Sequence, residues 1–216
     1  MMMKWLDFLF PPRVDEIALR GVSSDEFLAL IAPQLAPETH PGTVMLLPFS
    51  DARVRTTIHE AKYHGSKRAF ALLAEVLAEY LRDADDIPKT RFDLKSESSR
   101  SNLVLVVPVP LGKERRKERG YNQIEEVAKQ AVRGLEIEIE TDLLTRTRET
   151  ESQVSLAREK REENMRGAFK ATRRADSART YIVIDDVLTT GATLQAAIDA
   201  LKEAGAEHII PLALAH

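Results

Sequence analysis

Continuous apolar runs alternate with amphipathic segments through the second half of the chain. The runs lie at 103–107 (LVLVV), 181–184 (YIVI) and 209–215 (IIPLALA). Between them, apolar residues recur at helical spacing in two sets, Ile124, Val127, Ala128 and Ala131, then Leu194, Ala197, Ile198 and Leu201. Unbroken apolar strands that alternate with helices are typical of a mainly parallel sheet with helices on both faces. The pattern therefore predicts the α/β fold class.

The first half of the chain shows one strand pattern and two helix patterns. VMLLPFS (44–50) predicts a strand, and helical spacing of apolar residues follows it on both sides of a break at Gly65. Residues 1–43 contain five prolines and predict an irregular arm with one short helix. We therefore expect an arm at 1–43 and one main domain at 44–216, with a helical part (44–95), a polar loop (95–102) and a core sheet (103–216).

The composition indicates in which cellular compartment the protein resides. The apolar runs are shorter than the roughly 20 residues that a membrane span requires. The N-terminal patch MMMKWLDFLFPP is interrupted by Asp7 and has no small-residue cleavage site. The absence of cysteine excludes disulfides and thiolate zinc sites and suits a reducing compartment. We expect a cytoplasmic protein without a membrane span or secretion signal.

The charge of the chain indicates which classes of partner it can bind. The net charge of −3 argues against a chain built as a whole to coat nucleic acid, because neutralising phosphates requires a surplus of Lys and Arg. Two basic stretches remain, at 113–119 (KERRKER) and 158–174. Each is either a solvated helix face or an anion contact, and the sequence leaves both interpretations open.

The window YIVIDDVLTTGATL (181–194) combines a strand end with an anion-binding loop. The apolar run delivers Asp185 and Asp186 to its carboxyl end, where ligands bind in open α/β sheets. The loop Thr189 to Thr193 then opens directly into a helix and presents backbone N–H groups to an anion such as phosphate. Carboxylates beside a phosphate site would repel the phosphate unless they contact another part of the ligand, such as sugar hydroxyls that donate hydrogen bonds to them. The order of these groups therefore predicts a ribose 5-phosphate site.

Taken element by element, the window also fits other interpretations. Each element alone is compatible with a solvated strand end followed by an ordinary helix cap. The window lacks the GKS or GKT of a P-loop, and it is not a GxGxxG dinucleotide turn.

VIDDVLTTGAT resembles the phosphoribosyl pyrophosphate (PRPP) signature of type I phosphoribosyltransferases. The resemblance implies a type I phosphoribosyltransferase-like fold, with an N-terminal helical extension or hood over the site. It implies that Asp185 and Asp186 engage the ribose hydroxyls as the catalytic pair, with Mg²⁺ brought by PRPP nearby. It assigns the 5-phosphate to the loop residues Thr189, Thr190, Gly191, Ala192 and Thr193.

Further motifs resemble ComF-type and GntX-type proteins within that family. They are VVPVPL (106–111), RRKERGYNQ (115–123), QVSLAREKREENMRGAF (153–169) and IHEAKYHGSKR (58–68). The resemblance implies a role in natural transformation and in the handling of incoming single-stranded DNA.

The chain departs from that group at the position of its zinc element. No CxxC follows LFPPR, and the histidines stand far apart in sequence, at His40, His59, His64, His208 and His216. We therefore expect no zinc, and residues 1–43 to form an arm in place of the zinc element.

The resemblance also implies a pyrophosphate loop after the 103–107 run, at VPVPLGK (107–113), which includes Val109 and Pro110. Basic residues beyond it are candidates for neutralising pyrophosphate: Lys113, Arg115, Arg116 and Arg119. The alternative for them is a solvated helix start. Lys62 is another candidate, for which capping of a helix C-terminus is the alternative.

The resemblance implies transfer of a phosphoribosyl group from PRPP to an unidentified acceptor. A second hypothesis is a PRPP or nucleotide sensor without turnover, acting as an accessory factor for incoming DNA. A third is a single-strand nucleic-acid binder, for which the basic stretches offer only Tyr121 and Phe169 as stacking platforms.

Overall fold

The computed structural model describes residues 14–36, 42–83, 104–148 and 165–216. Its strands are β1 Gln34–Ala36, β2 Thr43–Leu47, β3 Val104–Pro108, β4 Glu138–Ile139, β5 Leu144–Arg146, β6 Phe169–Ala171, β7 Thr180–Val187 and β8 His208–Ala215. Its helices are α1 Val14–Gly21, α2 Ser24–Leu28, α3 Ala52–His64, α4 Lys67–Asp83, α5 Lys113–Arg119, α6 Gln123–Ala131 and α7 Ala192–Glu203. The predicted loop at 95–102 and His40 lie outside the described residues.

A six-stranded sheet forms the centre, in the order β1-β2-β8-β7-β3-β4. Strand β1 pairs antiparallel with β2, and the other neighbours pair in parallel. The predicted α/β class and mainly parallel sheet are confirmed. The carboxyl ends of β3 and β7 lie side by side in register, with Pro108 opposite Ile184.

Each central strand contributes side chains to both faces of the sheet, which explains its unbroken apolar sequence. Ile182 and Ile184 of β7 pack into one core with α4 and α6, whereas Tyr181 and Val183 pack into the other core with α7. All four are 2% exposed or less. The small antiparallel sheet of β5 and β6 lies on the α7 face.

The first half of the chain differs from the prediction. The predicted single short helix of the arm is two helices in the described part, α1 and α2, and the second has a capping box at Ser23 and Glu26. The strand predicted at 44–50 is β2, and it pairs with β8 inside the main sheet, so the part expected to be helical (44–95) begins with a strand of that sheet. Helix α4 likewise packs on the sheet core, because Leu72, Leu73 and Leu77 face inward.

The strand-like EIEIE at 136–140 is reduced to β4, a two-residue edge strand beside β3. Its alternating isoleucines are only partly buried, since one face alone packs on the core. None of the helices in the described ranges combines the length and apolarity that a bilayer crossing requires.

Candidate functional site

A cavity of about 480 Å³ opens at the carboxyl ends of β3 and β7. Asp185 and Asp186 from β7, with Thr189 and Thr193 beyond it, line one side. The predicted pyrophosphate residues that line the cavity with them are Val109, Pro110, Arg115, Arg119 and Lys62. The two sets are separated widely in sequence and meet here because β3 and β7 are neighbours in parallel.

Asp186 is the most constrained acid of the site. Its side chain is nearly buried, at 8% exposure. Its Oδ2 accepts a hydrogen bond from Nε2 of Gln123 at 2.7 Å and lies 3.1 Å from Nζ of Lys62. Its Oδ1 accepts from the backbone N–H of Val187 at 2.8 Å. Three elements, α3, α6 and β7, therefore fix this carboxylate.

Asp185 is half-buried beside it, and its Oδ1 accepts from the backbone N–H of Asp186 at 2.8 Å. Burial and, to a smaller extent, the charge of Asp186 together raise the pKa of Asp185 to about 7, against the opposing effects of its backbone hydrogen bond and of Lys62. Burial lowers the pKa of the Lys62 ammonium, but the neighbouring carboxylates more than offset this, so that pKa lies above its usual value. Lys62 therefore stays charged while Asp185 can change its charge near neutral pH.

The predicted phosphate loop has the backbone geometry of an anion-binding turn. Gly191 has a φ of 76°, in the left-handed region, and it precedes α7 without a side-chain cap. Helix α7 has no acidic residue in its first turn, so nothing there opposes an anion at the positive end of the helix. Thr190 is largely buried and its Oγ1 accepts from the N–H of Ala192 at 3.4 Å. Thr189 and Thr193 are thus the loop side chains that line the cavity, and Thr190, Gly191 and Ala192 shape the backbone.

The structure separates the basic residues that follow β3. Arg115 and Arg119 line the cavity. Arg116 instead pairs with Glu125 at 3.0 Å, on α6, and Lys113 is exposed and does not line the cavity. Because α5 is short and buries no side chain, only one of its faces can meet the cavity.

Contacts between α3 and the RGYNQ segment place Lys62. The hydroxyl of Tyr121 donates to the carbonyl of Ala61 at 3.0 Å, and the guanidinium of Arg119 lies 5.1 Å from the ring centre of Tyr63. A Cβ at Gly65 would come within 3.2 Å of the Tyr121 ring, and this glycine has a φ of 59°. Glycine at this helix end therefore lets the two segments approach closely.

Three polar residues of the site were missed as functional residues by the sequence analysis. Asn122 and Gln123 are 2% and 5% exposed. Asn122 caps α6 through Ile124 and donates to the carbonyl of Val109 at 3.0 Å, which pins the pyrophosphate loop. Their presence in RGYNQ, just before a helix with an apolar face, was the available signal. Arg146 of β5 also lines the cavity, and no sequence pattern pointed to it.

The histidines were expected to lie far apart, but two of them lie close together in the structure. His59 and His64 lie near each other at the end of α3, with ring centres 5.5 Å apart and Glu60 between them in the fold. His208 is exposed at the start of β8, and Nδ1 of His216 lies 3.0 Å from the carbonyl oxygen of Leu188.

Comparison with known proteins agrees with the motifs. Residues 68–216 match the family described as phosphoribosyl transferase domain. Competence protein F of Haemophilus influenzae is 33% identical over 106 residues, which cover 48% of this chain and 46% of that protein. DNA utilization protein YhgH of Escherichia coli K12 is 33% identical over 101 residues, 47% of this chain and 44% of that protein. The chain thus spans about half the length of these curated relatives.

Among solved structures, adenine phosphoribosyltransferase from Leishmania tarentolae aligns over 84% of this chain and 79% of its own, with 14% identity and a TM-score of 0.40. The matches by sequence confirm the predicted resemblance to ComF-type proteins of the phosphoribosyltransferase family.

Proposed function

This chain belongs to the phosphoribosyl transferase domain family, and we propose from that premise that it binds PRPP with Mg²⁺ and transfers the phosphoribosyl group to an acceptor. The observation that carries the proposal is a single cavity with two unlike sides. One side offers two carboxylates and a helix N-terminus, the other offers Arg115 and Arg119, and Lys62, which contacts Asp186, also lines the cavity. A ligand with sugar hydroxyls between two phosphate groups matches that arrangement.

The sugar would lie against β7. Ribose hydroxyls are hydrogen-bond donors, and Asp185 and Asp186 are acceptors when ionised. The 5-phosphate would meet the backbone N–H groups at the start of α7, beside Thr189 and Thr193, where the helix dipole favours negative charge. The left-handed turn at Gly191 aims those groups at the ligand.

The pyrophosphate would lie between β3 and α5. Arg115 and Arg119 can each offer paired N–H donors to phosphate oxygens, and the Lys62 ammonium offers a compact charge. The carboxylates of Asp185 and Asp186 are oxygen donors of the kind that suits Mg²⁺, and the ion would neutralise charge on the departing pyrophosphate.

Catalysis would depend on charge placement in this cavity. The bond from the anomeric carbon to pyrophosphate breaks as a bond to the acceptor forms, and positive charge develops on the ribose. Asp185 and Asp186 would lie on the side of that charge, while Arg115, Arg119 and Lys62 would stabilise the leaving group.

A second cavity of about 500 Å³ adjoins the first and supports a place for the acceptor. The two share Lys62, Tyr63, Val187 and Thr189, and the second is closed by Phe49 and Ile58. Its lining comes largely from the N-terminal half of the chain, which is where the expected hood would lie. Aromatic and apolar walls suit a flat heterocyclic acceptor.

A second candidate is PRPP binding without turnover in an accessory factor for DNA uptake. The names of the relatives, Competence protein F and DNA utilization protein YhgH, favour this role and a single-stranded DNA or competence-machinery partner. Direct stacking on single-stranded DNA has less support, because Phe169 is 5% exposed and Tyr121 packs edge-on against Phe70.

Titration calorimetry with PRPP and Mg²⁺, followed by radiolabelled PRPP consumption with a panel of bases, tests the proposal. Binding with base-dependent consumption supports the transferase. Binding without consumption selects the accessory factor. A folded chain that does not bind PRPP contradicts both.

A further inference from the structure

We propose that His59, Glu60 and His64 form a binding site for one Zn²⁺ ion at the C-terminal end of α3, outside the PRPP cavity and beside the second cavity, which His59 also lines. One ligand atom from each of the three side chains can be chosen so that all lie within 4.8 Å of one another. Two imidazoles and a carboxylate are a common donor set for zinc with a further position for water. The site replaces the expectation of no zinc, which rested on the histidines being scattered.

Glu60 is the fixed member of the cluster. Its side chain is 0% exposed. Buried carboxylates are costly unless they are paired, hydrogen-bonded or bound to a metal ion. Its Oε1 lies 3.8 Å from Nε2 of His64, one helical turn later on the same face of α3. The carboxylate therefore points toward the histidine rather than only into the apolar core.

The two histidines are the adjustable members. Their side chains are 49% and 30% exposed, for His59 and His64. Zinc bonds of about 2.1 Å place tetrahedral ligand atoms about 3.4 Å apart, so separations within the cluster must shorten by up to about 1.4 Å. Rotation of two partly exposed rings can supply that movement while Glu60 stays in place.

Two surrounding features favour a cation at this position. Nδ1 of His59 lies 3.6 Å from Oδ2 of Asp15 on α1, so a carboxylate stands behind that ring and can orient it with its other nitrogen toward the metal. His64 also lies in the last turn of α3, which is capped by Gly65, and the C-terminus of a helix attracts positive charge. Zinc would then tie α1 to α3 through Asp15 and His59.

The competing explanation is ordinary surface packing. His59 lies 4.9 Å from the Tyr63 ring centre and 5.5 Å from that of His64, and such ring contacts form without any metal. This explanation predicts no specific zinc binding. A zinc titration therefore distinguishes surface packing from the proposed metal site, whether or not the chain binds PRPP.

The test is calorimetric titration of the full chain, without a histidine tag, using ZnCl₂. Loss of groups that merely orient metal ligands weakens binding about 10- to 100-fold in other proteins, so His64→Gln should weaken zinc binding by at least about tenfold. The double variant His59→Gln with His64→Gln should lose specific binding. His208→Gln removes an exposed histidine outside the cluster and should bind one Zn²⁺ per chain as the natural sequence does.

Thermal unfolding provides the second readout. Zinc should raise the melting temperature of the natural chain and of His208→Gln, because it binds the folded state, and should leave that of the double variant unchanged. The proposal is overturned if the natural chain binds no Zn²⁺, or if the folded double variant binds it as tightly.

Discussion

Nζ of Lys62, at the end of α3, lies 3.1 Å from Oδ2 of Asp186, at the end of β7. The contact joins the first half of the chain to the strand that carries both acids. It also gives the ammonium a partner other than the terminal carbonyls of its helix, which was the alternative role for this lysine. In the proposed complex, a cation held beside Asp185 and Asp186 would reach the pyrophosphate of the same ligand.

Replacing Lys62 with Met should weaken PRPP binding by at least about tenfold, or about 1.4 kcal/mol. If the ammonium contacts pyrophosphate, affinity for ribose 5-phosphate, which lacks that group, should change much less. Calorimetry with both ligands measures the difference. Lys129→Met is the matched control, because Lys129 pairs with Glu125 on α6 and does not line the cavity. Equal losses for the two ligands would show that Lys62 does not act through the pyrophosphate.

The double substitution Asp185→Asn with Asp186→Asn should abolish PRPP binding in a folded chain. The amides keep the shape of the side chains, but each loses the negative charge and replaces one acceptor oxygen with an NH₂ donor, which weakens contacts with ribose hydroxyls and Mg²⁺. Circular dichroism checks the fold and calorimetry checks binding. Asp199→Asn on α7 serves as the control, since that side chain bonds to exposed Gln195. Unchanged PRPP affinity in the folded double variant would remove the central claim.

The strand and loop of the site were predictable because their signal is local. The apolar run at 181–184 of β7 is followed directly by two acids and a loop with Gly191, so neighbouring residues determine the whole element. The left-handed φ of Gly191 agrees with the expected need for glycine at this turn.

The second side of the cavity was less predictable because it depends on tertiary contacts. The hydrogen bond between Gln123 and Asp186 joins α6 to β7. The spacing of residues along the chain does not predict this contact. The choice of Arg115 and Arg119 over Arg116 follows from how a short helix is rotated, which a run of seven charged residues does not specify. Likewise the strand β2 was predictable from its apolar sequence, but its pairing with β8, which is distant in sequence, was not.

Asp185→Asn should change the pH dependence of stability. The pKa of Asp185 is raised to about 7 in the folded chain, against about 3.9 for an unfolded aspartate. Between these values the folded chain holds a proton that the unfolded chain has lost, so the stabilisation is present below about pH 4 and is lost as the pH rises to about 7. The asparagine variant should therefore gain stability relative to the natural chain between about pH 5 and about pH 8. Denaturant unfolding at both pH values measures this, and a constant difference would contradict it.

Gly191→Ala should separate phosphate binding from ordinary helix capping. Gly191 and Gly134 have φ values of 76° and 77°, so alanine at either position costs about 1–2 kcal/mol of backbone strain. A Cβ at Gly134 would meet nothing within 4 Å, which makes Gly134→Ala a control for strain alone. We expect both variants to lose similar stability, whereas Gly191→Ala alone should bind PRPP at least about tenfold more weakly, because its methyl group and any shift of the turn disturb the N–H groups that face the 5-phosphate. Calorimetry on both folded variants decides the matter. If the two bind PRPP equally well, the turn before α7 serves only as a helix cap, and the phosphate lies elsewhere.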